Sequence, residues 1–188
     1  MSRPLEIGDK IELGRYPHGA DGKVLPLMWR VLRVENGKAL LLTDKLIDCI
    51  PYHEAYTSVT WETCTLRQWL NGTFLRQAFD SGERAKIALT TCRNPDNPDY
   101  GTAGGNATQD RVFILSVAEA WQYFSSDEDR KGCAAPHMKK NARWWLRSPG
   151  FRCDSAACVL RHGGVSSHGS NVYDGNVAVR PALWIIIS

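Results

Sequence analysis

The stretch WWLRSPGFRCDSAACVLRHGGVSSHGSNVYDGNVAVRPAL, from Trp144 to Leu183, constrains this chain more than any other. Its ends, WWLRSPG and VRPAL, combine large apolar side chains, arginine and proline, which fix packing and backbone. Its middle draws on few residue types. Across the 28 residues from Phe151 to Ala178, Lys, Glu, Gln, Met and Trp are missing, although the rest of the chain holds 30 of them. By proportion, roughly five would fall in such a window. These five amino acids are the ones that no codon ending in a pyrimidine encodes. An asparagine codon randomised at its two adenines yields Phe, Leu, Ile, Val, Ser, Pro, Thr, Ala, Tyr, His, Asn, Asp, Cys, Arg or Gly. Every residue of the middle belongs to that set. The pattern is that of asparagine codons scattered at adenines, interrupted by fixed Ala, Val and Gly that hold the fold.

The remaining totals set the class. A chain of 188 residues suggests one domain. A domain of this size buries roughly 70% of its unfolded-chain surface, so it needs neither disulfide nor metal to stand. Hydrophobic and charged fractions of 43% and 23% suit a soluble globular protein. The net charge of +3 is spread with both signs interspersed, which argues against a nucleic-acid partner. The N-terminal MSRPLEIGDKIELG has no apolar h-region, and no run reaches the length of a membrane helix. Six cysteines without a C-x-x-C pair then read as free thiols in the cytoplasm where the protein is made.

Element signals divide the chain into β, α and β parts. IELGRYP alternates, and Glu35-Asn36-Gly37 between MWRVLRV and KALLLTD predicts a hairpin. From Thr63, the residues Leu66, Trp69, Leu70, Phe74 and Phe79 form a rough helical face broken near Asn71-Gly72. Ser116 and Glu119 make a capping box for a second helix, with RVFIL before it as a short buried strand. Between the helices, CRNPDNPDYGTAGGNATQD reads as a long loop. The repeat Val159-LRH-Gly163, Val165-SSH-Gly169, Val172-YD-Gly175 predicts short strands and tight turns. VAVRPALWIII closes the chain as a hydrophobic strand with an edge or bulge at Pro181. The expectation is one α+β domain with mixed antiparallel sheets, two main helices, and N- and C-terminal strands close together.

WWLRSPG, a variable tract and VRPAL together resemble the C-terminal signature of variable proteins of diversity-generating retroelements. WRVL, ALLLTD, LRQWLN with a following F…AF, and D-x-VFILS-x-x-EA agree, and the set resembles a bacterial and phage domain family of unassigned function over most of residues 7–185. Ala178 stands where that signature has glycine, so the downstream limit of the tract is set only to about residue 178. The resemblance implies a C-type-lectin fold, shared with formylglycine-generating enzymes. It also implies that reverse transcription with adenine infidelity rewrites a ligand-binding surface. Phage-encoded members act in host recognition and other members display on cells, so a phage or prophage product or a cytoplasmic binder is expected rather than a secreted lipoprotein, with virion association open.

A site that accepts nearly any side chain cannot be core, because a buried substitution often costs about 2–5 kcal/mol against a total stability of about 5–15. The nominated outward, ligand-binding residues are Phe151, Arg152, Cys153, Asp154, Ser155, Cys158, Leu160, Arg161, His162, Ser166, Ser167, His168, Ser170, Asn171, Tyr173, Asp174 and Asn176. Phe151, Arg152, Arg161 and Tyr173 are the expected anchors, since aromatic and arginine side chains dominate hot spots. Trp144, Trp145 and Trp184 are expected to carry the packing. The partner is an unknown protein or glycan, and a homo-oligomer is compatible with display. No catalytic residue, cofactor or metal is assigned.

Other readings were weighed. Cys153, Cys158, His162 and His168 are zinc-competent, but their C-x4-C-x3-H-x5-H spacing is too short in the middle for a common finger. Asp96, Asp99 and Asp110 could supply calcium with oxygen, as in related lectins, but the loop lacks an EF-hand spacing and Asp110, just before VFILS, is expected to cap or pair within the fold. Cys49, Cys64, Cys92 and Cys133, with His53, offer no cysteine pair for a formylglycine-type oxidase. A metal-dependent lectin or an enzyme on the same fold remains the alternative. Arg147 and Arg180 read as structural, bonded to carbonyls or a carboxylate.

Overall fold

The computed structural model describes residues 3–18, 22–136, 138 and 142–187. The described chain is a mixed α+β structure, mostly β with short helices. In the first sheet, β1 (Lys10–Pro17), β2 (Val24–Glu35) and β3 (Lys38–Thr43) run antiparallel in chain order. The Asn36-Gly37 hairpin forms as expected. Both residues take left-handed backbone, with φ of 49° and 69°, and Glu35 pairs with Lys38. A turn of this hand matches the twist of its strands.

The short strands β4 (Lys45–Leu46) and β5 (Asp48–Cys49) lead to the helical region. Cys64 caps α1 (Thr65–Trp69), its sulfur accepting from the Arg67 amide. The expected break at Asn71-Gly72 is a π-turn over Leu70–Phe74, continued by α2 (Leu75–Ala78) and followed by α3 (Ser81–Lys86). Asn71 secures the widened turn. Its carbonyl oxygen accepts from the Arg111 and Val112 amides, and its amide donates to the Arg67 and Val112 carbonyls. β6 (Thr90–Cys92) and β7 (Thr108–Asp110) pair at the neck of the long loop. The expected RVFIL strand is reduced to a single bridge between Phe113 and Ala182, although Val112 to Leu115 are all buried. The Ser116/Glu119 capping box opens α4 (Val117–Gln122), then come α5 (Asp127–Arg130) and β8 (Cys133–Ala134). Several short helical pieces therefore replace the two main helices expected.

The last third completes both sheets. β9 (Trp144–Pro149), β10 (Ser155–Val159), β11 (Val165–Asn171) and β12 (Ala178–Val179) join β5 in the order β11-β10-β9-β12-β5. β13 (Ala182–Ile186) instead pairs with β3 in the first sheet. VAVRPALWIII is thus two strands, and the chain changes sheet at Arg180-Pro181. Pro181 lies between ladders, where a missing donor costs nothing, and its carbonyl accepts from the Thr43 amide. The first and last strands share one sheet and stand at its opposite edges, in the order β1-β2-β3-β13, without pairing.

One hydrophobic core joins both sheets and the helices. Trp29, Trp61, Trp144 and Trp145 are fully buried. Each indole N–H finds an acceptor: Leu13 O, an Asp110 carboxylate oxygen, Arg130 O and Ile50 O respectively. Trp184, expected in the core, is only half-buried against it. On β10 the neighbours of the β9 tryptophans are small or modest: Cys158 pairs with Trp145 and Val159 with Trp144. Bulk on one strand and economy on the next lets the layer fill without voids.

Asp110, weighed above as a calcium ligand, is instead a fully buried counter-ion. It accepts from Arg67 Nε at 2.6 Å, Trp61 Nε1 at 2.9 Å and the Thr108 hydroxyl at 2.6 Å. Asp110→Asn replaces an oxygen that only accepts with a group that also donates, and strips Arg67 of its charge partner. The expected loss is about 3 kcal/mol in urea denaturation, because breaking a buried pair strands the remaining groups.

Candidate functional site

The frame around the tract is fixed by two buried arginines. Arg147 on β9 donates to Arg93 O at 3.1 Å and Ile114 O at 2.9 Å, and holds both Glu119 oxygens, at 2.5 and 2.8 Å. Glu119 also accepts from the Ser116 amide, so one carboxylate closes the capping box and pins β9 to α4. Arg180 donates to Thr43 O and Arg130 O and lies against Trp144 and Phe124. Burial pulls its pKa down to about 10. Both arginines are structural, as expected.

Within this frame the tract divides by depth. Arg152, Cys153, Arg161, His162, His168, Tyr173 and Asn176 are exposed. Phe151, Asp154, Leu160, Ser166, Ser167, Ser170, Asn171 and Asp174 are partly exposed. Ser155 and Cys158 are buried, which corrects their assignment to a ligand-facing surface. The reason is topological. β10 lies inside the second sheet between β9 and β11, and every residue from Ser155 to Val159 is buried. β11 is the edge strand, and six of its seven residues are half-buried and one exposed. The outward positions therefore concentrate on the edge strand and the three turns around it.

Ties from the frame to the tract end on main-chain atoms at four residues, Cys153, Gly163, Ser167 and Val172. The Asn97 side-chain amide, itself buried, donates to Pro149 O at 2.9 Å, Gly150 O at 3.1 Å and Ser167 O at 2.9 Å. The Val59 and His53 amides donate to Cys153 O and Val172 O, each at 2.9 Å. Arg130 Nε donates to Gly163 O at 3.0 Å. A Cβ on Gly163 would lie 1.7 Å from Asp127 O, and its φ of 94° suits glycine alone. Side chains add further ties: Arg143 to Asp174 and Ser170, Ser167 to Asp99, and Ser58 to Cys153. Asn97 and Arg143 were not legible as tract-holding residues. Asn97 reads only as a turn former in a Pro/Asp/Asn loop.

The metal-ligating candidates do not gather. Among the described residues no three His, Cys, Asp or Glu side chains come together. Cys158 is inward, and burial pushes its thiol up to about 11. Asp96 accepts from the Gly104 amide, Asp99 from Ser167, and Asp110 lies in the core. Burial pushes Cys64 and Cys92 up to about 12, far from a ready thiolate. The His53 ring accepts at Nδ1 from the Thr65 amide. A cleft of about 460 Å3 between loop residues 93–99 and the start of α4 reaches Ser167, but the Arg147–Glu119 pair lining it is already satisfied. Among the described residues, no helix is long and apolar enough to cross a membrane.

Fold and surface together define an α+β domain in which a stiff frame carries an edge strand and turns with outward side chains. Residues 36–187 match a family described as a domain of unknown function (DUF6273), and the chain belongs to that family. No curated protein and no solved structure matches it.

Two outcomes follow from these contacts. Asn97→Ala is expected to cost about 2 kcal/mol, since it leaves carbonyls unpaired, whereas alanine at Arg161, His162 or Asn176 shifts stability by less than about 0.5 kcal/mol. Chemical denaturation of the four variants checks this. Burial alone would raise the Asp174 carboxyl, but the Asn176 amide, the Ser170 hydroxyl and the Arg143 guanidinium outweigh it and hold it below its ordinary range. A depressed folded value contributes stability above the unfolded pKa of about 4 and loses it as pH falls through the folded value. The stability gap between wild type and Asp174→Asn should therefore shrink from pH 5 towards pH 2.

Proposed function

We propose that this protein is a non-catalytic ligand-binding domain whose C-terminal surface is diversified by adenine-directed retroelement mutagenesis, on a C-type-lectin-like fold. The surface comprises residues 151–154, 160–162, 166–168, 170–171, 173–174 and 176. One observation carries the reading. Seven of the seventeen nominated residues are exposed and eight partly exposed, while the frame holds the segment by the main-chain carbonyls of Cys153, Gly163, Ser167 and Val172. A segment held in that way keeps its shape when its side chains change.

The alphabet supports the reading independently. Scattered asparagine codons favour Tyr, Ser, Gly, Asn and Arg, which paratopes also favour. Holding those side chains on a strand and tight turns lowers the ordering cost of binding. The setting that fits is host or receptor recognition by a phage or prophage product.

Sequencing the DNA beside the coding region tests the history. The expected result is a near-copy of its 3′ end that differs only at adenines, close to a reverse-transcriptase gene. Flanking DNA with no such copy overturns the diversification. Binding is tested by exchange: two chains that differ only at the outward positions should select different partners from one panel of surface proteins, and identical selections would place recognition elsewhere.

A further inference from the structure

Two tyrosines outside the tract touch its exposed aromatic side chains. Tyr100 belongs to the Pro/Asn loop and is 49% exposed. Its ring meets Phe151 at 6.3 Å and His168 at 6.0 Å, edge-on in both cases. Phe151 and His168 are themselves stacked, with centroids 3.9 Å apart and planes 10° from parallel. Tyr56 precedes α1 and is 61% exposed. It meets Tyr173 edge-on at 6.4 Å.

Resting on the binding function proposed above, we infer that Tyr56 and Tyr100 are constant contact residues of the variable surface, and that its partner is a folded protein. Both tyrosines lie outside the segment from Phe151 to Ala178, so every version of the tract would meet them. The positions beside them are 151, 168 and 173, where the asparagine-derived alphabet permits Phe, Tyr and His. Each such draw finds an aromatic neighbour already in place. Edge-to-face pairing then holds the drawn ring in one orientation before any partner arrives, and a preorganised side chain loses less entropy on binding. Tyrosine adds its own rigid, amphipathic area at little entropic cost.

The geometry favours a protein over a glycan. A sugar ring stacks on an open aromatic face. Phe151 has the His168 imidazole on one face, and the Arg152 guanidinium lies over the ring at 4.7 Å from its centroid. The cluster offers edges, a phenolic hydroxyl and a cation, which match a mixed protein epitope with apolar and acceptor groups.

Two libraries of the full chain test this. Both randomise the outward tract positions, one with Tyr56 and Tyr100 intact and one with Tyr56→Ser and Tyr100→Ser. Each is selected against purified lysozyme and against mannan-coated beads. The expected result is lysozyme binders about tenfold more frequent in the tyrosine library. Reverting single binders with Tyr100→Ser or Tyr56→Ser should weaken them by a similar factor, whereas Tyr→Phe retains binding and melting temperatures stay together. Equal frequencies in both libraries overturn the role of the tyrosines and leave the binding function standing. Binders to mannan alone overturn the partner class. No binder from either library overturns the binding function itself, and this inference with it.

Discussion

The second sheet grips its outermost strand and turns through peptide groups. Every residue but proline carries the same donor, and every residue the same acceptor, so a hydrogen bond to the backbone is indifferent to the side chain beside it. Asn97 illustrates the economy. One buried amide fastens Pro149, Gly150 and Ser167, and none of those bonds asks what residue 167 is. Val59, His53 and Arg130 likewise bond the carbonyls of Cys153, Val172 and Gly163, although Val172 is core and position 163 admits only glycine. The specificity of the fold is thereby moved out of the tract and into the residues that face it.

The core makes the complementary choice. β9 supplies Trp144 and Trp145, and β10 answers with alanines, a cysteine and a valine. The inward half of the tract is therefore as constrained as any core strand, although it shares its alphabet with the outward half. Glu119 and Asp110 add two buried or half-buried charge junctions that tie helices to strands. Removing one partner of such a junction is costly, which makes the arrangement specific about register as well as stable.

Much of this was legible in the sequence, and what was not has a physical reason. The hairpin at Asn36-Gly37 and the Ser116/Glu119 cap depend on neighbours within a few residues, and sequence displays such signals directly. The outward nature of Arg161, His162, Tyr173 and Asn176 followed from the argument that a freely varied position cannot be packed in a core. Ser155 and Cys158 were misplaced because composition cannot separate the two faces of a strand, still less an interior strand from an edge strand. The division of VAVRPALWIII between two sheets was hidden because both halves are equally apolar. Asn97 was hidden because its partners lie 52 to 70 residues away along the chain.

The passage of the chain from one sheet to the other at Arg180-Pro181 has a further consequence. The segment that completes the first sheet, and supplies the strand between β9 and β5 in the second, is translated only after the tract has been read through. A frameshift or stop within the tract would leave both sheets short of a strand and Trp144 without its arginine cover. Such a chain lacks the β12 and β13 pairings and the Arg180 contact on Trp144. Codons that end in a pyrimidine never encode a stop. On the diversification proposed above, a tract built of such codons keeps the reading frame open through to β12 and β13.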